Sequence, residues 1–240
     1  MPDSEKDRII IALDVATRKA ALDLVDALGS EATFFKVGAQ LFAEEGPGLL
    51  EELRKRDKRV FLDLKFHDIP NTVAGGVRAA MRHGAHMLTV HASGGSAMLA
   101  AARDAAGDEG PVVVAVTLLT SLASEDVEQV FGRPPASLVD EVVRLAGLAA
   151  AAGLPGVVAS PTEVKSIKRS YGARLKVVTP GIRLVGDDPA DQTRYATPEA
   201  AAKAGADFIV VGRSITGAAE PDVAFEKVAE SFRVGGEPTA

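Results

Sequence analysis

Two aspartates and a lysine close one apolar run, Phe61-Leu62-Asp63-Leu64-Lys65-Phe66-His67-Asp68. Side chains alternate along an extended strand, so Asp63 and Lys65 point to one face while Leu62, Leu64 and Phe66 supply the other. Asp68 follows after the strand should have stopped. A cation between two anions is expensive to bury unless all are paired, and such clusters gather where acid–base or electrostatic chemistry is done. The two carboxylates favour the ammonium form of Lys65, which suits it to donate a proton and to stabilise negative charge developing beside it. Taken alone, the segment also reads as a structural ion pair at a strand end.

The elements that would position these groups recur along the chain. Eight apolar runs read as strands: Arg8 to Asp14, Phe34 to Gly38, Val60 to Lys65, Met87 to His91, Val112 to Leu119, Gly156 to Ala159, Lys176 to Thr179 and Phe208 to Gly212. Each is followed by a helical pattern, at Arg18 to Leu28, Leu41 to Arg56, Thr72 to His83, Ser96 to Ala106, Leu138 to Ala152, Thr162 to Ser170, Pro198 to Ala204 and Pro221 to Phe232. Glycines fall near the helix ends, where a left-handed cap residue is expected. Eight strand–helix units in 240 residues predict an α/β protein, a closed (β/α)8 TIM barrel in a single domain over 1–240, with a frayed tail after Arg233. An open doubly wound sheet is the rival, and it usually has fewer units. Thr120 to Ser137 and Gly181 to Thr197 read as irregular and follow strands, on the side where barrels carry their site loops.

In a barrel the strand ends share one mouth. They supply Asp14, Lys36, Asp63 with Lys65, His91, Thr120, Gly181-Ile182-Arg183 and Gly212-Arg213-Ser214. Charges seldom end apolar strands without a partner or water, and here they come from consecutive strands. The Gly212-Arg213-Ser214 turn predicts phosphate binding: the glycine admits a ligand to the backbone and the arginine forks onto an anion. Barrels commonly hold phosphate at this corner, and Arg183 and Gln192 lie in the preceding long loop. His67, His83, His86 and His91 form no compact metal-ligand pattern; His83 and His86 suit surface or capping roles, and His91 the floor of the pocket or a structural hydrogen bond. A divalent cation on Asp14 and Asp63 would be opposed by Lys36 and Lys65.

Composition narrows the class. Hydrophobic residues make up 47%, enough for a sizeable core, and cysteine is absent, which removes disulfides, thiolate catalysis and cysteine-bound metal. The formal charge of −6 argues against nucleic acid as partner. No run approaches membrane-spanning length and the first residues are unlike an export signal, so a cytoplasmic enzyme is expected.

At these residues the sequence resembles orotidine 5'-phosphate decarboxylase. The features are Ala12-Leu13-Asp14, Phe35-Lys36-Val37-Gly38, Asp63-Leu64-Lys65-Phe66-His67-Asp68-Ile69-Pro70-Asn71-Thr72, Leu119-Thr120-Ser121, Thr179-Pro180-Gly181-Ile182-Arg183, Asp191-Gln192 and Val211-Gly212-Arg213-Ser214, in the family's order. The resemblance implies a homodimeric barrel that converts orotidine 5'-monophosphate to UMP and CO2 without metal or organic cofactor. By position it implies Lys65 as proton donor to pyrimidine C6 and Asp63 against the departing carboxylate. Asp68 and Thr72 would reach across the dimer interface, and Asp14 and Lys36 would hold ribose hydroxyls, Lys36 also joining the charge network. Thr120 would contact the pyrimidine, and Arg183, Gln192, Gly212 and Arg213 would take the phosphate. Related sugar-phosphate enzymes, which share the aspartate–x–lysine–x–x–aspartate strand but use Mg²⁺ and an enediolate, are the nearest rival; a non-catalytic phosphate-binding barrel is the other.

Overall fold

Eight parallel strands close on themselves in sequence order, β1 to β8, with β8 pairing back onto β1. They are Ile9–Ala12, Phe34–Gly38, Arg59–Phe66, Met87–His91, Val112–Val116, Gly156–Val158, Lys176–Ile182 and Phe208–Val211. This computed structural model describes residues 4–187 and 195–236. The closed order excludes the open doubly wound sheet, and the fold is a (β/α)8 TIM barrel.

The helices α1 to α11 run over Arg18–Leu28, Ala39–Glu45, Gly48–Lys55, Pro70–Arg82, Gly95–Ala106, Ser124–Phe131, Leu138–Ala151, Val164–Tyr171, Pro198–Ala204, Arg213–Thr216 and Pro221–Gly236. Their limits have local causes. Thr17 Oγ1 accepts the Ala20 N–H at the start of α1, and Thr197 Oγ1 accepts the Ala200 N–H before Pro198 opens α9. The single helix expected over Leu41 to Arg56 is two, because Gly46 turns left-handed at φ +63° and Pro47 follows it. The stretch after Thr120, expected to be irregular, contains α6, which buries Val127. The last helix continues through Gly236, beyond the point where fraying was expected.

Strands apolar on both faces build two cores. Ile10, Ala12, Phe34, Phe61, Met87, Val114, Val178 and Val210 pack together as one cluster, which fills the barrel. A larger cluster, with Ile9, Ile11, Phe35, Val60, Leu62 and Val90 among its strand residues, lies between sheet and helices. His86 is structural: its Nδ1 accepts the Val60 N–H at 3.1 Å in a part-buried contact, and although the residue as a whole is exposed, desolvation, then Arg59, pushes its pKa down. Among the described residues no helix is long and apolar enough to cross a membrane.

Candidate active site

Strands β1, β2 and β3 lie side by side, with Ala12 opposite Lys36 and Gly38 opposite Asp63. That register lines up the charges predicted from the strand ends into a row of alternating sign. Lys36 Nζ donates to Asp14 Oδ1 at 2.9 Å and lies 3.8 Å from Asp63 Oδ2; Lys65 Nζ reaches both Asp63 oxygens at 3.0 Å. Room for the row comes from Gly38, where a Cβ would sit 3.2 Å from Lys36 Nζ and 3.5 Å from Asp14 Oδ1. Exposure falls towards the centre, from 65% for the Asp14 side chain to 13% for Lys36 and 14% for Asp63, with Lys65 at 37%. Charges this dry are sustained by one another and interact more strongly than they would in water.

Asp63 and Lys65 do not meet through regular alternation. Leu62 pairs with Leu88 and Phe66 with Val90, so Asp63, Leu64 and Lys65 stand opposite Thr89 alone. The strand bulges, and Lys65 takes a left-handed backbone at φ +51°, sparsely populated for a residue with a side chain. The Lys65 N–H donates to Thr89 Oγ1 at 2.8 Å, and the Thr89 hydroxyl donates to Asp63 Oδ1 at 3.0 Å. Thr89 was not singled out from the sequence. Its signal is a hydroxyl between Leu88 and Val90 on a strand that is otherwise apolar up to His91.

The row faces a pocket of about 430 Å³, within the range of small-molecule sites. Asp14, Lys36, Asp63, Lys65, Thr120, Arg183, Gly212 and Arg213 line it together, so most residues predicted as functional converge. Its floor and side are apolar, from Phe61, Val116, Leu118, Val158 and Val210. Arg183 is buried and donates to the Ile182 carbonyl at 2.9 Å. Gly212 leaves the pocket wall open: a Cβ there would lie 4.0 Å from Asp14 Oδ2.

Three predicted positions, Asp68, Thr72 and His91, do not line the pocket. Asp68 and Thr72 are exposed, outside the pocket, and Asp68 Oδ1 accepts the Ile69 N–H at 2.6 Å; Asp68 thus does not flank Lys65 within this chain. Gln192 falls outside the described residues. His91 is not on the pocket floor as one reading expected. Its ring lies 5.4 Å from that of His67, and burial, followed by the charges of His67 and Lys65, holds its pKa below the usual imidazole range. No group of three or more metal-ligating side chains occurs among the described residues.

Comparison with known proteins identifies a family for the chain. Residues 7–228 match the family model described as Orotidine 5'-phosphate decarboxylase / HUMPS family. The chain belongs to that family. Orotidine 5'-phosphate decarboxylase of Moorella thermoacetica is 47% identical over 236 residues, covering 95% of this chain and 93% of that protein. The protein of the same name from Sodalis glossinidius is 44% identical, over 98% of this chain and 94% of its own length. Among solved structures, the crystal structure of Orotidine 5'-phosphate decarboxylase from Lactobacillus acidophilus superposes with a TM-score of 0.82 at 37% identity, covering 93% of this chain and 98% of that one. Membership of the orotidine 5'-phosphate decarboxylase / HUMPS family thus spans the barrel from before β1 into α11, and every charged residue of the row lies inside it.

Proposed function

We propose that the chain, acting as one barrel domain in a homodimer, decarboxylates orotidine 5'-monophosphate to UMP in pyrimidine biosynthesis. The observation that carries this reading is the paired Asp63–Lys65 of the charged row, facing a pocket that Arg183 and Arg213 also line. Loss of CO2 from C6 leaves an electron pair on a ring carbon with little delocalisation. A cation beside that carbon gains interaction energy as charge develops, so Lys65 stabilises the transition state more than the ground state, and its ammonium then protonates C6. Asp63 stands against the substrate carboxylate, where repulsion vanishes as neutral CO2 departs; this is the smaller contribution.

Asp14 and Lys36 hold the ribose hydroxyls, Thr120 meets the pyrimidine, and Asp68 and Thr72 enter the partner's pocket. Arg183, Gln192, Gly212 and Arg213 take the phosphate, whose binding energy holds the ring against Lys65 although it takes no part in bond breaking. Every role is filled by a side chain or backbone group, and Lys36 and Lys65 repel a divalent cation from the carboxylates. We therefore infer chemistry without a metal or organic cofactor.

The family model spans two chemistries, and metal dependence separates them. With EDTA present, the protein should turn over orotidine 5'-monophosphate, followed by loss of its ultraviolet absorbance. A requirement for Mg²⁺, or turnover of a sugar phosphate instead, would favour the enediolate branch.

The phosphate assignment has its own test. Arg213→Ala should lower kcat/KM for the nucleotide about ten- to a hundredfold, the worth of a charge-assisted fork. Orotidine without the phosphate never used that contact and should lose little. An equal loss on both substrates would show that Arg213 supports the barrel rim.

A further inference from the structure

We propose that Thr89 is a positioning residue, whose one hydroxyl holds the Lys65 backbone in its left-handed bulge and fixes the Asp63 carboxylate against the Lys65 ammonium. The inference rests on the reading of Lys65 as proton donor and names what aims it. Thr89 is 1% exposed and sits on β4, a strand buried on both faces. A hydroxyl there needs both a donor and an acceptor, and it has them: it accepts the Lys65 N–H at 2.8 Å and donates to Asp63 Oδ1 at 3.0 Å.

The two bonds do different things. The bulge between Leu62 and Phe66 takes the Lys65 N–H out of the regular ladder with β4, and Thr89 is the group that receives it. A left-handed lysine is strained and persists only where its surroundings over-determine it. The second bond fixes one oxygen of a carboxylate that also takes Lys65 Nζ, so Asp63 is clamped from β4 and from its own strand. Groups outside a site commonly orient the reacting ones in this way, and their loss degrades the reaction through geometry while binding persists.

The test compares Thr89→Ser, Thr89→Ala and Thr89→Val. Serine keeps the hydroxyl and should retain kcat within about threefold. Alanine and valine should lose about ten- to a hundredfold in kcat, with KM for orotidine 5'-monophosphate changed less than about threefold, because the binding groups remain. If valine, which sets a methyl against the carboxylate, prevents folding, the serine–alanine pair makes the same comparison. Equal loss in serine and alanine, or a drop in melting temperature with kcat unchanged, overturns the proposal.

A second readout does not depend on turnover. In a crystal structure of Thr89→Ala, Lys65 should leave φ near +51° and its Nζ should leave the symmetric 3.0 Å contacts with Asp63. Retention of both would overturn the positioning role whatever the parent's substrate. Failure of the parent to decarboxylate the nucleotide would count only against the proposed function.

Discussion

Lys65→Ala is expected to abolish decarboxylation, with a loss in kcat on the order of 10⁴ or more, because the proposed general acid and the proposed cation at the reacting carbon disappear together. The fold should survive. Asp63 would keep the Thr89 hydroxyl at 3.0 Å and Lys36 at 3.8 Å, so its charge would not be stranded. Alanine meets the same left-handed backbone that lysine already tolerates, so no new strain is introduced at φ +51°. The check is a pair of measurements, turnover of orotidine 5'-monophosphate and a thermal melt. Turnover within tenfold of the parent in a folded variant would remove Lys65 from the chemistry.

Mixing inactive Lys65→Ala chains with inactive Asp68→Ala chains should restore activity. In a two-fold dimer assembled at random, about a quarter of the sites would draw Lys65 from one intact donor and Asp68 from the other. The expectation comes from where the chain leaves Asp68: exposed at the start of α4, bonded to the neighbouring Ile69 N–H, and outside the pocket that holds Lys65. Ile69 beside it is 66% exposed, an apolar side chain that a second subunit would cover. Subunit exchange must be verified independently, by mass or by fluorescence transfer. Confirmed exchange with no return of activity would mean that Asp68 serves its own barrel or none.

Much of the fold was legible because barrel strands are apolar on both faces and punctuated by caps. The limits Met87–His91, Arg18–Leu28 and Pro198–Ala204 could be read directly, the last two flanked by Thr17 and Gly29 and by Thr197 and Gly205. The break at Gly46 and Pro47 was hidden because Leu41, Leu49, Leu50 and Leu53 continue a helical apolar pattern through it. The helix Ser124–Phe131 was hidden for the opposite reason, since Val127 alone is buried and leaves little periodicity. At the site, charge at successive strand ends announced Asp14, Lys36, Asp63 and Lys65. Thr89 was silent because its importance depends on a register shift between β3 and β4, and pairing across strands is not written in local spacing.

That shift also bears on how this segment can diverge. Because the excess on β3 is even, Phe66 rejoins β4 opposite Val90 and packs on the outer core, as its place in the alternation requires. Inserting or deleting one residue there would reverse the parity of everything that follows, turning Phe66 towards the mouth and carrying the chain into α4 out of phase. Side chains in this stretch can therefore be exchanged singly with local consequences. A change of one in its length would have to be taken up by the bulge or by the rim beyond it, which makes the residue count between Leu62 and Phe66 as much a feature of the candidate site as the lysine it carries.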